Sequence, residues 1–230
     1  MSYFPDFVRA PNIADNPDAY ERENRAMDPS GALWTALRET ANWTDRTIVD
    51  VGCGTGFWLP RYAETAARVI GVEPDADLRT RARSTGIRVL NGSAEHLPLP
   101  DASVDVIHAR FAYFFPPGCD AGLDEALRVL RPGGTIVVID NDLRNGKFAV
   151  LLRQSSWAAP QGTADVTDAW WAERGARRQE VMSSWSCADP AALEEILRIE
   201  FPPALVDAWL HEHPGRSSLS YGYVLFAVSR

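Results

Sequence analysis

The sequence predicts an α/β domain: a mostly parallel β-sheet covered by helices on both faces. Three observations carry that reading. Five short apolar runs, residues 47–51, 68–73, 87–90, 104–107 and 135–140, show no strict alternation of apolar and polar positions, as expected of strands buried on both faces. Segments of helical period lie between them at 57–67, 75–84 and 118–130, which gives βαβ units and parallel pairing. A glycine cluster follows the first run, where a parallel strand hands over to a helix.

In chain order, residues 1–16 are rich in Pro, Asn and Asp and read as an irregular arm. A helix is expected over 17–27. Another should start at Asp28-Pro29, an N-cap followed by proline at the first helical position, with Leu33, Trp34, Leu37 and Ala41 at helical spacing. The strand–helix rhythm then runs to Asp142. Beyond it, helices are expected at 146–158, 165–174, 189–200 and 203–212. Strands are expected at 180–185 and 220–228, the last aromatic and β-branched.

The 230 residues suit one domain. We divide it into an N-terminal arm and cap helices (1–42), a ligand-binding core (43–142), a helical cap insertion (143–178) and C-terminal strands and helices (179–230). The net charge of −8 argues against a nucleic-acid partner, whose binders carry excess Lys and Arg. No apolar run is long enough for a membrane span, and the first residues lack the pattern of a signal peptide. The expected location is the cytoplasm, without membrane attachment. Cys53, Cys119 and Cys187 are far apart, and His211 and His213 have no neighbouring ligand pattern. Neither a metal site nor a disulfide framework is expected.

The chemistry is concentrated in Asp50-Val51-Gly52-Cys53-Gly54-Thr55-Gly56. Glycines let a backbone turn with positive φ and approach a ligand without a Cβ in the way. The helix after them offers free N–H groups. A random chain of this length shows D-x-G-x-G-x-G roughly 0.4% of the time, so a chance match at a strand–helix junction is a poor explanation. The dinucleotide fingerprint G-x-G-x-x-G does not fit, since its third glycine would fall on Phe57 or Leu59. An acid two residues before G-x-G-x-G favours a ligand with an adenosine and a charged amino-acid tail. All candidate positions fall on one rim, the carboxyl ends of the strands. They are the glycines, Glu73, Ser93-Ala94-Glu95, Ala109-Arg110 and Asn141-Asp142.

TIVDVGCGTGFWLPRYA resembles motif I of the class I S-adenosylmethionine-dependent methyltransferases, within the broad small-molecule group that includes quinone-biosynthesis enzymes. VIGVEPDADL resembles motif II, NGSAEHLPLPDASVDVIHARF the segment around strands three and four, and EALRVLRPGGTIVVID the region of motif V. The resemblance covers about residues 45–142. It implies a Rossmann-like fold with a seven-stranded sheet in the order 3-2-1-4-5-7-6, strand 7 antiparallel, under a small helical cap. It also implies S-adenosylmethionine as cofactor and S-adenosylhomocysteine as product. The cofactor-binding candidates are then Asp50, Gly52, Cys53, Gly54, Gly56, Glu73, Pro74, Ser93, Ala94, Glu95, Ala109 and Arg110, with Tyr20 from the first cap helix. Glu73 is assigned to the ribose hydroxyls, and Tyr20 and Arg110 to the methionyl end. The sequence departs from the family at Ser93, where an Asp usually accepts the adenine amino proton. It also lacks the His that often follows strand four, where it has Phe111-Ala112-Tyr113-Phe114-Phe115.

The expected reaction is methyl transfer to a small organic acceptor. Asp142 is the catalytic candidate, because it follows strand five on the same rim. Tyr113 competes as a polar group, and His108 reads as a packed residue within its strand. Five of the eight tryptophans lie after residue 150. They either pack the core or wall an apolar acceptor pocket. A non-catalytic binder of the same cofactor and a nicotinamide-dependent oxidoreductase are the competing classes.

Overall fold

The computed structural model describes residues 7–157 and 163–230. The beginning of the expected arm (1–6), the last residue of the helix expected at 146–158, and residues 158–162 of the cap insertion lie outside the described residues.

Short helix α1 (Pro11–Asp15) occupies part of the stretch expected to be irregular, and α2 (Pro17–Ala26) follows. Each begins on a proline, whose missing N–H is no loss in a first turn. Helix α3 (Ala32–Thr40) starts later than Asp28-Pro29 suggests. Gly31, with φ 73°, makes a left-handed turn first. Asp28 still caps the helix across that turn, accepting from the Leu33 and Trp34 N–H groups at 3.1 Å each.

The first βαβ unit is β1 (Thr47–Val51), α4 (Leu59–Ala63) and β2 (Arg68–Val72). Helix α4 is shorter than the segment expected over 57–67 because Pro60 is tolerated only in a first turn. Then come α5 (Ala76–Arg83), β3 (Arg88–Leu90), β4 (Val104–Arg110), α6 (Asp120–Val129) and the long β5 (Leu130–Gly146). The chain continues through α7 (Lys147–Gln154), α8 (Ala164–Glu173), β6 (Arg177–Ser186), α9 (Pro190–Glu200), α10 (Pro203–Glu212) and β7 (Ser218–Ser229).

The seven strands form one sheet in the order β3-β2-β1-β4-β5-β7-β6. The first five are parallel. β7 runs antiparallel to both β5 and β6. Register places Asp50 beside His108 and Val51 beside Ala109. Successive residues of one strand feed different cores, as both faces are covered. Ile48, Val106 and Val137 pack with Leu37, Trp43 and Tyr62. Val49, Ile107 and Ile136 pack with Leu123, Ala126 and Trp171 on the other side.

Most of the late tryptophans belong to these cores. Trp171 stacks on Phe226 at 5.3 Å, and Trp185 on Tyr221 at 5.1 Å. Of the five, only Trp157 lines the large cavity described next. His108 is fully buried between Trp43 and Tyr62, with Nδ1 3.0 Å from the Tyr62 hydroxyl. Burial, helped by the Arg110 charge, lowers its pKa to about 3, so it stays neutral.

Candidate active site

A cavity of about 1560 Å³ opens at the carboxyl ends of the parallel strands. Its floor follows the sheet order. Ser93, Ala94 and Glu95 come after β3, Glu73 and Pro74 after β2, and Gly52, Cys53 and Gly54 after β1, whose Asp50 also faces it; Arg110 ends β4. Adjacent strands lie about 4.8 Å apart, so this row spans the width of an extended nucleoside with a tail.

The glycine loop is shaped by its neighbours. Gly54 has φ 56°, and a Cβ there would lie 2.7 Å from Ile13 of α1. Its N–H donates to Glu73 Oε2 at 2.8 Å, and the Asp75 N–H donates to Glu73 Oε1 at 2.9 Å. Glu73 thus joins the end of β2 to the loop after β1. Burial pushes its pKa up to about 7 against those two bonds. Asp75 caps α5 through the Asp77 and Leu78 N–H groups, and Arg9 pairs with it at 2.9 Å.

Several buried polar atoms on this floor have no hydrogen-bond partner among the described residues: Ser93 Oγ, Asp50 Oδ1, and Arg110 Nε and Nη1. Burial also pushes Asp50 up to about 7, with the Arg110 charge opposing it. The Arg110 guanidinium lies 4.4 Å above the Trp58 ring, and its Nη2 donates to the Tyr62 hydroxyl at 3.3 Å. Trp58 is held in turn by its Nε1–H bond to Asn24 Oδ1 at 3.0 Å. The Arg110 charge reaches Tyr20 on α2, which also lines the cavity.

Eleven of the residues singled out from sequence therefore line one cavity: Tyr20, Asp50, Gly52, Cys53, Gly54, Glu73, Pro74, Ser93, Ala94, Glu95 and Arg110. Three do not, and each has a physical reason. Gly56 faces α5, where a Cβ would lie 2.9 Å from Ala82 Cα. It serves helix packing. Ala109 points its methyl group into the second core, since its side chain lies on the face opposite Arg110. Asp142 does not reach the cavity. Its carboxylate closes the turn at the end of β5, accepting from the Arg144 N–H at 2.8 Å, the Asn145 N–H at 3.3 Å and Asn145 Nδ2 at 2.8 Å. Its side chain is buried, and both carboxylate oxygens are engaged in that turn. Its sequence neighbour Asn141 lines the cavity instead and accepts from the Tyr221 hydroxyl. Tyr113 lines the cavity too, with its hydroxyl accepting from the Gly122 N–H at 3.2 Å.

Sequence reasoning missed Glu23, Asn24, Trp58, Glu200 and Tyr221, all on the cavity wall. Glu23 and Asn24 fall three and four residues after Tyr20 on α2, on the same helix face. That spacing was the available signal. Nothing local marks Glu200 or Tyr221, which arrive through packing of α9 and β7.

Residues 49–138 match the model of a family described as a methyltransferase domain. The chain is 32% identical over 127 residues to the malonyl-[acyl-carrier protein] O-methyltransferase of Yersinia pestis, a match covering 54% of this chain and 46% of that protein. The chain spans about half or less of the length of the curated relatives it matches first. Among solved structures, its fold is similar to a SAM-dependent methyltransferase from Aquifex aeolicus, with TM-score 0.52, 17% identity, and 91% and 97% of the two chains covered. It is also similar to the YcgJ protein of Bacillus subtilis, with TM-score 0.59, 18% identity, and 86% and 97% covered.

Proposed function

We propose, on the premise that this chain carries a methyltransferase domain of the class I S-adenosylmethionine-dependent family, that it transfers the methyl group of that cofactor to a small, apolar or aromatic organic acceptor. The observation that carries the reading is the row of unpartnered polar atoms across the cavity floor. Buried polar groups are ordinarily paired. Here the gaps match the cofactor in chemistry and in order. Ser93 Oγ offers an acceptor for an adenine amino group, and the Ala94 backbone lies beside it. Glu73 keeps lone pairs for two ribose hydroxyls beyond its two backbone bonds. Asp50 Oδ1 suits an α-ammonium. The two unpartnered nitrogens of Arg110 suit an α-carboxylate, with Tyr20 next to them.

Bound there, S-adenosylmethionine supplies an electrophilic methyl group on a sulfonium. The chain's residues hold the partners in line and keep water out. Positioning of this kind can supply about 7–11 kcal/mol of a barrier. Phe111, Leu143, Phe148, Leu152 and Trp157 give the remaining cavity apolar walls, which support an apolar or aromatic acceptor. With Asp142 engaged in a turn, no general base is assigned, and orientation is the catalytic device we assign to the chain. The net charge of −8 supports a small molecule over a nucleic acid.

The test is calorimetry with S-adenosylhomocysteine, followed by transfer of labelled methyl to a panel of phenols, amines and heteroaromatics. Stoichiometric binding and a labelled product are expected. A chain that binds the product without transferring label to any of the panel would fit the non-catalytic binder better. Binding of NADH in its place would overturn the reading.

A further inference from the structure

The cavity wall formed by α2 and α9 holds a feature that cofactor binding does not use. Glu23 of α2 and Glu200 at the end of α9 both face the cavity. Glu23 is 4% exposed, and its Oε2 accepts no hydrogen bond from any described donor. The group that bears on it is another acid. The two carboxyls lie close enough to act on each other, and ionisation of one opposes ionisation of the other. Burial and the Glu200 charge push Glu23 well up. Burial raises Glu200 as well, against its bond to Asn12. Asn12 Nδ2 donates to Glu200 Oε1 at 2.7 Å. No Arg or Lys among the described residues contributes to the electrostatics of either acid.

Two aromatic side chains flank the pair. Tyr20 lies one turn before Glu23 on α2, and Tyr221 comes from β7; both line the cavity, and both feel the charge of the two acids. Tyr221 uses its own proton on Asn141. An uncompensated buried carboxylate is costly, and two side by side more so. A cationic ligand would relieve both acids at once. An ammonium brings positive charge, several N–H donors for the two carboxyls, and a favourable fit to aromatic faces. A carboxylate or phosphate in the same recess would meet like charge.

We propose that Glu23 and Glu200, walled by Tyr20 and Tyr221, form the specificity subsite for the methyl acceptor, and that the acceptor carries a protonated amine or another cationic nitrogen group. The inference rests on the methyltransferase reading of the same cavity. The role assigned is recognition of the cation, which fixes how the rest of the acceptor lies.

The experiment uses the full chain saturated with S-adenosylhomocysteine, titrated by calorimetry with phenethylamine and with 3-phenylpropanoate, probes of similar size and opposite charge. The amine binds and the carboxylate does not. Glu23→Gln and Glu200→Gln each weaken the amine about tenfold or more, the scale of one charge-assisted hydrogen bond, and leave S-adenosylhomocysteine affinity within about twofold. Melting temperatures of both variants stay at or above the parent's, because each removes half of a repulsive pair. Equal binding of the two probes, or an amine affinity that survives both substitutions, overturns the subsite while normal S-adenosylhomocysteine binding leaves the methyltransferase reading standing. A parent chain that binds no S-adenosylhomocysteine overturns that reading and this inference with it. Variants that melt lower yet keep the preference for amine over carboxylate assign the pair to packing and overturn the subsite.

Discussion

The end of the cavity under β1 and β2 and the end walled by α2 and α9 are made from different materials. The first is largely backbone. Its loop needs positive φ at Gly52 and Gly54, and Glu73 reaches back only 19 positions to the Gly54 N–H. The second is all side chain, with Tyr20 and Glu23 meeting Glu200 and Tyr221 from the far end of the sequence. A backbone-built site cannot change its ligand without changing the fold. A site of side chains on helix faces can be re-specified one residue at a time. On the proposed reading, the contrast explains how a common cofactor end and a private acceptor end coexist in one cavity.

The contrast can be tested most severely at Gly54. Valine there would need a β-branched side chain at φ 56° and a Cβ 2.7 Å from Ile13. We expect Gly54→Val to lower S-adenosylhomocysteine affinity about 100-fold or more, from strain and blocked approach together. Calorimetry on a variant with parental circular dichroism checks it, and unchanged affinity would remove the loop from the site. The boundary between the two ends is Arg110, a side chain serving the backbone end. Arg110→Met keeps the bulk against Trp58 and deletes the charge. A loss of about 10–100-fold in the same titration is expected. No loss would detach Arg110 from the cofactor tail.

A gentler probe is pH. Asp50 and Glu73 are both raised to about 7 by burial. A raised acid holds its proton more tightly folded than unfolded. Its stabilising contribution is complete below the ordinary carboxyl range near pH 4 and is lost as pH rises through about 7. The ligand-free chain should therefore melt several degrees lower at pH 8 than at pH 5, with Asp50→Asn flattening part of that slope. A ligand ammonium favours the ionised Asp50, so S-adenosylhomocysteine affinity should rise across the same window. An opposite trend in either measurement would contradict the burial argument. The smallest effect is expected at Asp142. Asp142→Asn sets an amide N–H₂ against the donors of the β5 turn, at about 1 kcal/mol. Melting should fall by about 2–4 °C, with turnover unchanged. A variant with parental melting and poor turnover would return Asp142 to the mechanism.

The same contrast decides what could be read from the sequence. The five parallel strands were legible because both faces are buried, which leaves unbroken apolar runs such as 135–140. The glycine loop and Glu73 were legible because a backbone-built site must be nearly contiguous. Asp142 misled because position after a strand specifies a rim but not a direction. Asn141, one residue earlier, is the one that faces inward. The late tryptophans stayed ambiguous because residue type does not distinguish a core wall from a pocket wall. Glu200 and Tyr221 were invisible, since only tertiary packing brings α9 and β7 to α2.

Helix α1 is tied to both ends of the cavity. Five residues are too few to be helical alone, so its docked position depends on its attachments, Arg9 to Asp75 and Asn12 to Glu200. Ile13, the residue after Asn12, rests against the glycine loop. One tether is an ion pair, which salt screens, and the other ends on an acid of the α2–α9 wall. A cation seated on Glu200 in the proposed subsite would therefore share Oε1 with Asn12 of α1.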